Sequence, residues 1–425
     1  MSPHRRFGCL SILALLAIPA CQSRPVSVAT PEIEPDVADL APLSVTGDTS
    51  WRISANTDLR MHTVVPPGGT VASAAGTVAS PIAPEPVPDA APVASPVAHP
   101  THISAAATFA AISPATVNTD PSDDMLVGNE GPGVLRTQVL LDRAHFSTGV
   151  INGKDGQNVE KAVYFYQEQN GLTPTGKLDR ATYDKLVEQV GVQDGVVKYT
   201  LTDDDAAGPY MWIPTSVYDQ AKLPCECYAS ALEMLDERFH TVTDVLRKLN
   251  PGFDFVNPKA GAELWVPNVE PFNAETLKRT ADAEPTLKPI VKIHVSKNGR
   301  YLQALAADGS IVYHFPTTVG SEYDPSPSGV YHVQGVLWHP VFHYDPTLYS
   351  DVSDSRPKAT LPPGPNSPVG IVWIATTKDH VGIHGTPLPH TIGLASSHGC
   401  VRLTNWDAAR LAAAVRDGVR IEFAN

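Results

Sequence analysis

Proline closes about a quarter of this chain to ordinary packing. Fifteen of its 40 prolines fall between Gln22 and Met125, in tracts such as Pro81-Ile82-Ala83-Pro84-Glu85-Pro86-Val87-Pro88 that have neither a helical nor a strand period. Each proline lacks a backbone N–H and fixes φ, so a dense run of them cannot build a ladder or a helix. The same segment carries 3 basic and 11 acidic residues, a net of −8 within a total of −14. Such a composition stays extended and solvated and repels itself. Residues 22–125 therefore read as a tether, able to reach at most about 320 Å when fully extended. Folding is expected from about residue 126 onward, leaving room for two or three domains.

Before the tether, His4, Arg5 and Arg6 precede an apolar stretch of 14 residues, Phe7 to Ala20. It is too short to span a bilayer comfortably and reads as a secretory signal peptide over residues 1–20. It ends Ile18-Pro19-Ala20-Cys21, which resembles a bacterial lipobox. The resemblance implies lipidation of Cys21 and a membrane anchor, with Gln22 favouring the outer membrane. Cleavage near Ala20 to a soluble product is the alternative. Either way the mature chain is expected to be exported, to the periplasm. The acidic balance argues against nucleic acid as a partner, because a phosphate-binding surface needs excess Lys and Arg.

The folded part divides into three units. In the first, residues 131–192, Val159, Ala162, Val163 and Tyr166 follow the i, i+3, i+4, i+7 spacing, and Tyr183, Leu186, Val187 and Val190 repeat it. Asp179 is placed to cap the latter helix, and an earlier helix spans roughly 134–144. Periodicity gives a three-helix bundle and no function. The order Gly153-Lys154-Asp155-Gly156, Ala162 to Gln167, Gly171-Leu172 and Thr175-Gly176 resembles the peptidoglycan-binding type 1 module. A helical spacer is the plainer alternative.

The second unit, residues 197–269, shows helix stripes at Leu232, Leu235, Phe239 and at Val245, Leu246, Leu249. Asn250-Pro251-Gly252 stops the latter, and a strand follows at Glu263 to Pro267. The order strand, helix, helix, strand resembles a divergent LysM module, a small α+β glycan binder. Cys225-Glu226-Cys227 departs from that pattern. A C-x-C pair is open to a metal site, a short-loop disulfide or a redox pair, and an oxidising compartment favours a structural role.

The third unit, residues 288–425, is β-rich. Strands are expected at 290–295, 301–306, 311–315, 329–336, 370–375 and 419–423, with one helix that starts after Thr404 and ends at Gly418. Cys400 lies in Ser396-Ser397-His398-Gly399-Cys400-Val401-Arg402-Leu403. A lone cysteine is more often a buried small hydrophobe than a nucleophile. Here an unpaired thiol sits in an exported chain among polar and cationic neighbours that would favour thiolate. Sixteen residues upstream stands Ile383-His384-Gly385-Thr386. Cysteine acyl transfer needs a base within hydrogen-bond reach and donors for an oxyanion. His384 serves if two strands bring it beside Cys400, and the backbone around Gly399 and Cys400 offers donors.

These two blocks resemble the L,D-transpeptidase catalytic domain (YkuD family, ErfK-like branch). Thr318-Val319-Gly320 with Pro325 to Tyr331, and Pro362 to Gly370, extend the likeness. The resemblance implies a multidomain protein: a small three-helix peptidoglycan-binding module, a small α+β LysM-like module and a β-rich catalytic domain. It implies Cys400 as nucleophile and His384 as general base, and Ser397, His398, Gly399 and Gly385 as oxyanion and pocket residues. It further implies Arg402 and Thr386 at the substrate, with a structural ion pair as the alternative for Arg402. The implied reaction is thioester formation on the third residue of a peptidoglycan tetrapeptide, then 3→3 cross-linking. An L,D-carboxypeptidase, an enzyme attaching an envelope protein to the wall, and a non-catalytic wall tether are the competing readings. The segment from His339 to Pro368 shows no regular pattern and by resemblance forms part of a lid. His339 and His343 flank Pro340, which argues against a helical metal site; no metal or cofactor is implied.

Overall fold

The computed structural model describes residues 111–121, 130–191, 194–280, 288–350 and 352–425. The expected signal peptide, Cys21 and the expected tether up to residue 110 lie outside them.

The folded chain begins earlier than composition suggests. Helix α1 (Pro114–Asn118) is capped by Ser113, whose side chain accepts from the Thr116 N–H, while Thr116 returns the bond to the Ser113 backbone. Its proline occupies the first turn, where a missing N–H costs nothing. Val117 is buried, and the Asn118 side chain both donates to and accepts from the Val196 backbone at 2.9 Å. The expected tether boundary at 125 therefore moves back: 113–118 belongs to the folded part.

Helices α2 (Pro132–Arg143), α3 (Gln157–Gln169) and α4 (Arg180–Val190) form the first unit. Asp179 caps α4, accepting from the Thr182 N–H at 2.8 Å, and Gly191 ends it in the left-handed region. Leu140, Val159, Val163, Tyr166, Tyr183 and Leu186 fill the core between them.

In the middle unit, β1 (Val196–Thr200) pairs antiparallel with β2 (Glu263–Pro267). Between them run α5 (Asp203–Ala207), α6 (Val217–Gln220), α7 (Ala231–Arg238) and α8 (Thr243–Leu249). Asn250 ends α8 and ties it to β2: its side chain donates to Trp265 O at 2.7 Å and accepts from Trp265 N at 2.6 Å. Strand, helix, helix, strand is present, but with α5 and α6 added and a Cys225–Cys227 disulfide before α7.

A short helix, α9 (Ala274–Thr280), leads to the C-terminal unit. Its strands are β3 (Ile290–Ser296), β4 (Tyr301–Ala306), β5 (Ile311–Pro316), β6 (Gly329–Trp338), β7 (Phe342–Tyr344), β8 (Ala359–Leu361), β9 (Val372–Thr376), β10 (Gly382–His384), β11 (Val401–Arg402) and β12 (Arg420–Ala424), with helix α10 (Asn405–Ala414) before the last. Eight of them form one sheet in the order β11-β10-β9-β6-β12-β3-β4-β5. Ile293, Leu302, Phe315, Ile374, Ile421 and Trp406 close its core against α10.

Two expectations change here. Thr404 caps α10, accepting from the Asp407 N–H at 3.2 Å, but the helix ends at Ala414. Gly418, at φ +84°, instead makes the turn into β12. The segment 339–368 is not irregular: β7 and β8 pair as a hairpin, with Phe342 opposite Leu361. Each strand has only three residues, too few to show a period.

Candidate active site

Two very short strands at one edge of the sheet build the site. β10 and β11 pair in parallel, with Ile383 opposite Val401 and His384 opposite Arg402. His384 thus ends one strand while Cys400 immediately precedes its neighbour. Both are buried, at 1% and 5% exposure, so little bulk water competes for either group.

The loop that delivers Cys400 is tied down from inside. Ser397 Oγ donates to the Cys400 carbonyl at 2.6 Å and accepts from the Gly399 N–H at 3.2 Å. Ser326 Oγ donates to the Gly399 carbonyl at 2.7 Å and accepts from the Gly320 N–H at 2.8 Å. Thr318 and Arg402 exchange backbone bonds of 3.1 and 2.8 Å, and Ser397 N donates to Val319 O at 2.8 Å. The Thr318–Gly320, Pro325–Tyr331 and Ser396–Leu403 blocks, separate in sequence, are therefore one piece of structure. Gly399 has φ +116°, a backbone conformation that favours glycine.

His384 is held in a defined tautomer. Its Nδ1 lies 2.7 Å from the Gly385 carbonyl, which only accepts, so Nδ1 carries the proton. Nε2 is then the basic nitrogen, and it has no hydrogen-bond partner among the described residues. The Trp373 ring stacks on the imidazole, 5.4 Å between centroids and 19° apart in plane. Burial pulls the His384 pKa down to about 4, against a smaller upward pull from Gly385. The imidazole is neutral at pH 7, as a proton acceptor must be. Cys400 Sγ lies 3.9 Å from the His380 carbonyl. His380 and Trp373 also line a cavity of about 200 Å³ with Gln334, Lys378, Asp379 and Val381.

The β7–β8 hairpin covers the cysteine. Phe342, Tyr344, Tyr349, Leu361 and Trp373 pack in one cluster with Cys400, and Val217 of α6 joins them from the middle unit. His398 packs edge-on to Tyr349 at 5.2 Å, with Nε2 3.7 Å from Asp324 Oδ2.

Several expected roles shift with this geometry. Gly399 N–H is committed to Ser397, and Gly385 N–H to Val372 O at 3.3 Å, so neither N–H is turned toward a substrate as an oxyanion donor. Gly385 acts through its carbonyl instead. Arg402 and Thr386, expected at the substrate, are buried at 1% and 2% exposure. Burial pushes the Arg402 pKa down to about 9, and Thr386 Oγ1 accepts from Leu388 N at 3.2 Å. Sequence reasoning missed Trp373, Val217 and Asn405. Asn405 begins α10, and its Oδ1 lies where a Cβ on Gly370 or Gly385 would overlap it. Among the described residues no group of His, Cys, Asp and Glu is arranged to hold a metal.

Residues 290–422 match the family described as the L,D-transpeptidase catalytic domain, YkuD. The C-terminal unit is an L,D-transpeptidase catalytic domain. Residues 130–186 match a peptidoglycan binding domain, which assigns the first unit. YkuD of Bacillus licheniformis, named as an L,D-transpeptidase, is 29% identical over 192 residues, covering 45% of this chain and 92% of its own. ErfK/SrfK of Escherichia coli, named likewise, is 28% identical over 178 residues, 41% of this chain and 53% of its own. Among solved structures, L,D-transpeptidase 3 of Mycobacterium tuberculosis aligns with TM-score 0.27 and 20% identity, over 32% of this chain and 61% of that one. An L,D-transpeptidase of Xylanimonas cellulosilytica aligns with TM-score 0.30 and 14% identity, over 72% and 99%. The match thus covers from about half to nearly all of these relatives' own lengths. The fold class is multidomain, a helical peptidoglycan-binding module followed by a β-rich catalytic domain. The two family matches, over 130–186 and 290–422, leave the middle unit unassigned.

Proposed function

We propose that this protein is an exported peptidoglycan L,D-transpeptidase that forms 3→3 cross-links through a Cys400 thioester. The observation that supports the reading is the parallel pairing of β10 with β11, in which His384 ends one strand and Cys400 directly precedes the other. His384 Nε2 takes the thiol proton. The thiolate adds to the carbonyl of the third residue of a tetrapeptide stem, giving a tetrahedral intermediate. The intermediate expels the terminal D-Ala amine, which leaves with the proton from His384. A side-chain amine of a second stem then attacks the thioester, His384 accepts its proton, and the thiolate departs. The acyl bond energy is kept in the thioester, so no nucleotide is consumed. The peptidoglycan-binding module holds the enzyme on its polymeric substrate, and lipidation at Cys21 anchors it beyond the tether.

Intact-protein mass spectrometry with a disaccharide-tetrapeptide tests this. The expected result is a disaccharide-tripeptide adduct that is absent in Cys400→Ala, followed by a cross-linked dimer. An adduct that decays only to free tripeptide would replace the transpeptidase with an L,D-carboxypeptidase. No adduct, with the substrate intact, would overturn the reading.

A further inference from the structure

Asn405 is fully buried and every polar atom of its amide is engaged. Nδ2 donates to Glu237 Oε2 at 2.8 Å and to the Pro365 carbonyl at 3.1 Å. Oδ1 accepts from Ile371 N at 3.4 Å and fills the space beside Gly370 and Gly385. Gly385 supplies the carbonyl that holds His384 Nδ1. Glu237 belongs to α7 of the middle unit, 168 residues before Asn405 in the chain. It is itself buried, and its other oxygen accepts from Tyr228 OH at 2.7 Å.

We propose that Glu237 is a positioning residue for the transpeptidation chemistry: it holds Asn405 against Gly385 and so fixes the His384 imidazole. The middle unit is then a working part of the catalytic site and not only an appended module. The proposal rests on His384 being the general base.

The same unit grips the neighbouring segment from its other side. Glu226 N donates to Pro363 O at 3.0 Å, and Asn366 N donates to Glu226 O at 2.9 Å. Asn366 Nδ2 donates to Cys227 O at 2.9 Å, beside the Cys225–Cys227 disulfide. A side chain at Gly364 would overlap the Glu226 carbonyl, so the two backbones meet directly. Residues 363–366 are thus clamped between the middle unit and Asn405. A buried amide with two N–H groups needs two acceptors, because leaving one unmade costs its full desolvation. Pro365 provides one and Glu237 the other.

The test follows acylation of Cys400 in the full chain by a tetrapeptide donor. Glu237→Gln keeps an acceptor for Asn405 and a donor for the Tyr228 oxygen, and kcat should stay within about twofold. Glu237→Leu should lower kcat by about tenfold or more with KM within about threefold, the pattern of a misplaced catalytic group. Combined with Asn405→Ala it should add no further loss, because both act on one contact. Unchanged kcat in Glu237→Leu, or losses that multiply independently, would overturn the proposal. If Glu237→Leu does not fold, Glu237→Asp decides: it keeps the carboxyl but draws it back from Asn405 by one methylene, so kcat should fall severalfold with KM within about threefold, and a kcat equal to wild type counts against the positioning role. A wild-type chain that never acylates Cys400 would instead defeat the transpeptidase reading.

Discussion

Asp142 and Arg410 form a bidentate pair, with Nη1 and Nη2 at 3.1 and 3.0 Å from the two carboxylate oxygens, joining α2 of the first unit to α10 of the catalytic domain. His240 of the middle unit lies 3.0 Å from the same carboxylate and stacks on Trp406. One buried carboxylate therefore touches all three units. Burial alone would raise its pKa, but Arg410 and His240 outweigh it and hold the carboxyl well below the usual range. Asp142→Ala leaves the buried Arg410 guanidinium with only Asp407, 3.9 Å away, an imbalance that costs up to about 3–5 kcal/mol. The urea midpoint should fall accordingly. A loss below about 1 kcal/mol would show that the three units hold together without this contact.

Stability should decline as pH rises from about 6.5 to about 8.5. Burial raises several carboxyls, four of them far: Glu226, Asp236 and Asp407 to about 7 and Glu237 to about 8. Folded protein keeps these protons where the unfolded chain releases them. Their contribution is complete below the ordinary carboxylate range and is lost as pH climbs through 7 to 8. Buried His314 and His384 act in the opposite sense: burial pulls them down to about 3 and about 4. Their contribution is present above the ordinary histidine range and is lost on acidification. The two sets oppose one another below about pH 6.5; above it the carboxyls dominate up to about pH 8, where Lys161, pulled down to about 8 by burial, begins to act against them. Thermal melting across this range should show a falling Tm, with a shallower slope in Glu237→Gln. A flat profile in the wild type would mean that these carboxyls are ionised in the fold.

The parts of this architecture that were legible in the sequence are those with local signals. Val159, Ala162, Val163 and Tyr166 repeat at helical spacing and all are buried. Asp179 and Thr404 mark helix starts because a cap is read within three residues. Cys400 and His384 stood out because their neighbours are polar where a core would be apolar. What was missed depends on distant pairing. Helix α1 shares the Pro/Ala/Thr composition of the expected tether, and its docking on Val196 and Arg136 separates the two. β10 has three residues and β11 two, too short for any alternation to register. Glu237 and Val217 look like ordinary middle-unit residues until the units meet.

His384 should keep its role as base far into acid. A base works only when unprotonated, so the rate falls as pH drops through its pKa. With burial holding that value at about 4, the acid limb of Cys400 acylation should inflect near there and not near 6.5. Rates from quenched mass spectrometry between pH 3.5 and pH 8 would show it, and His384→Ala should lower them by about 10²–10⁴-fold. An inflection close to 6.5 would mean that the working imidazole is solvated or that another group is the base.

Gly399 offers a separate test of how the nucleophile is held. Its φ of +116° is one that side chains rarely adopt, yet the nearest atom to an added methyl is Pro325 O at 3.8 Å, ordinary contact. Gly399→Ala is thus a backbone perturbation without a clash, with strain of about 1–3 kcal/mol. The strain falls on the loop between Ser397 and Cys400, not on the core of the sheet. Relief requires the loop to move, and the Ser326 Oγ bond to Gly399 O moves with it. Tm should drop by only a few degrees while acylation slows by more than tenfold, about 1.4 kcal/mol or more in the barrier. Ser326→Ala, which removes that tie and the acceptor of the Gly320 N–H but adds no backbone strain, should slow acylation by less. Equal effects of the two variants would show that the hydrogen bond, and not the glycine conformation, sets the position of Cys400.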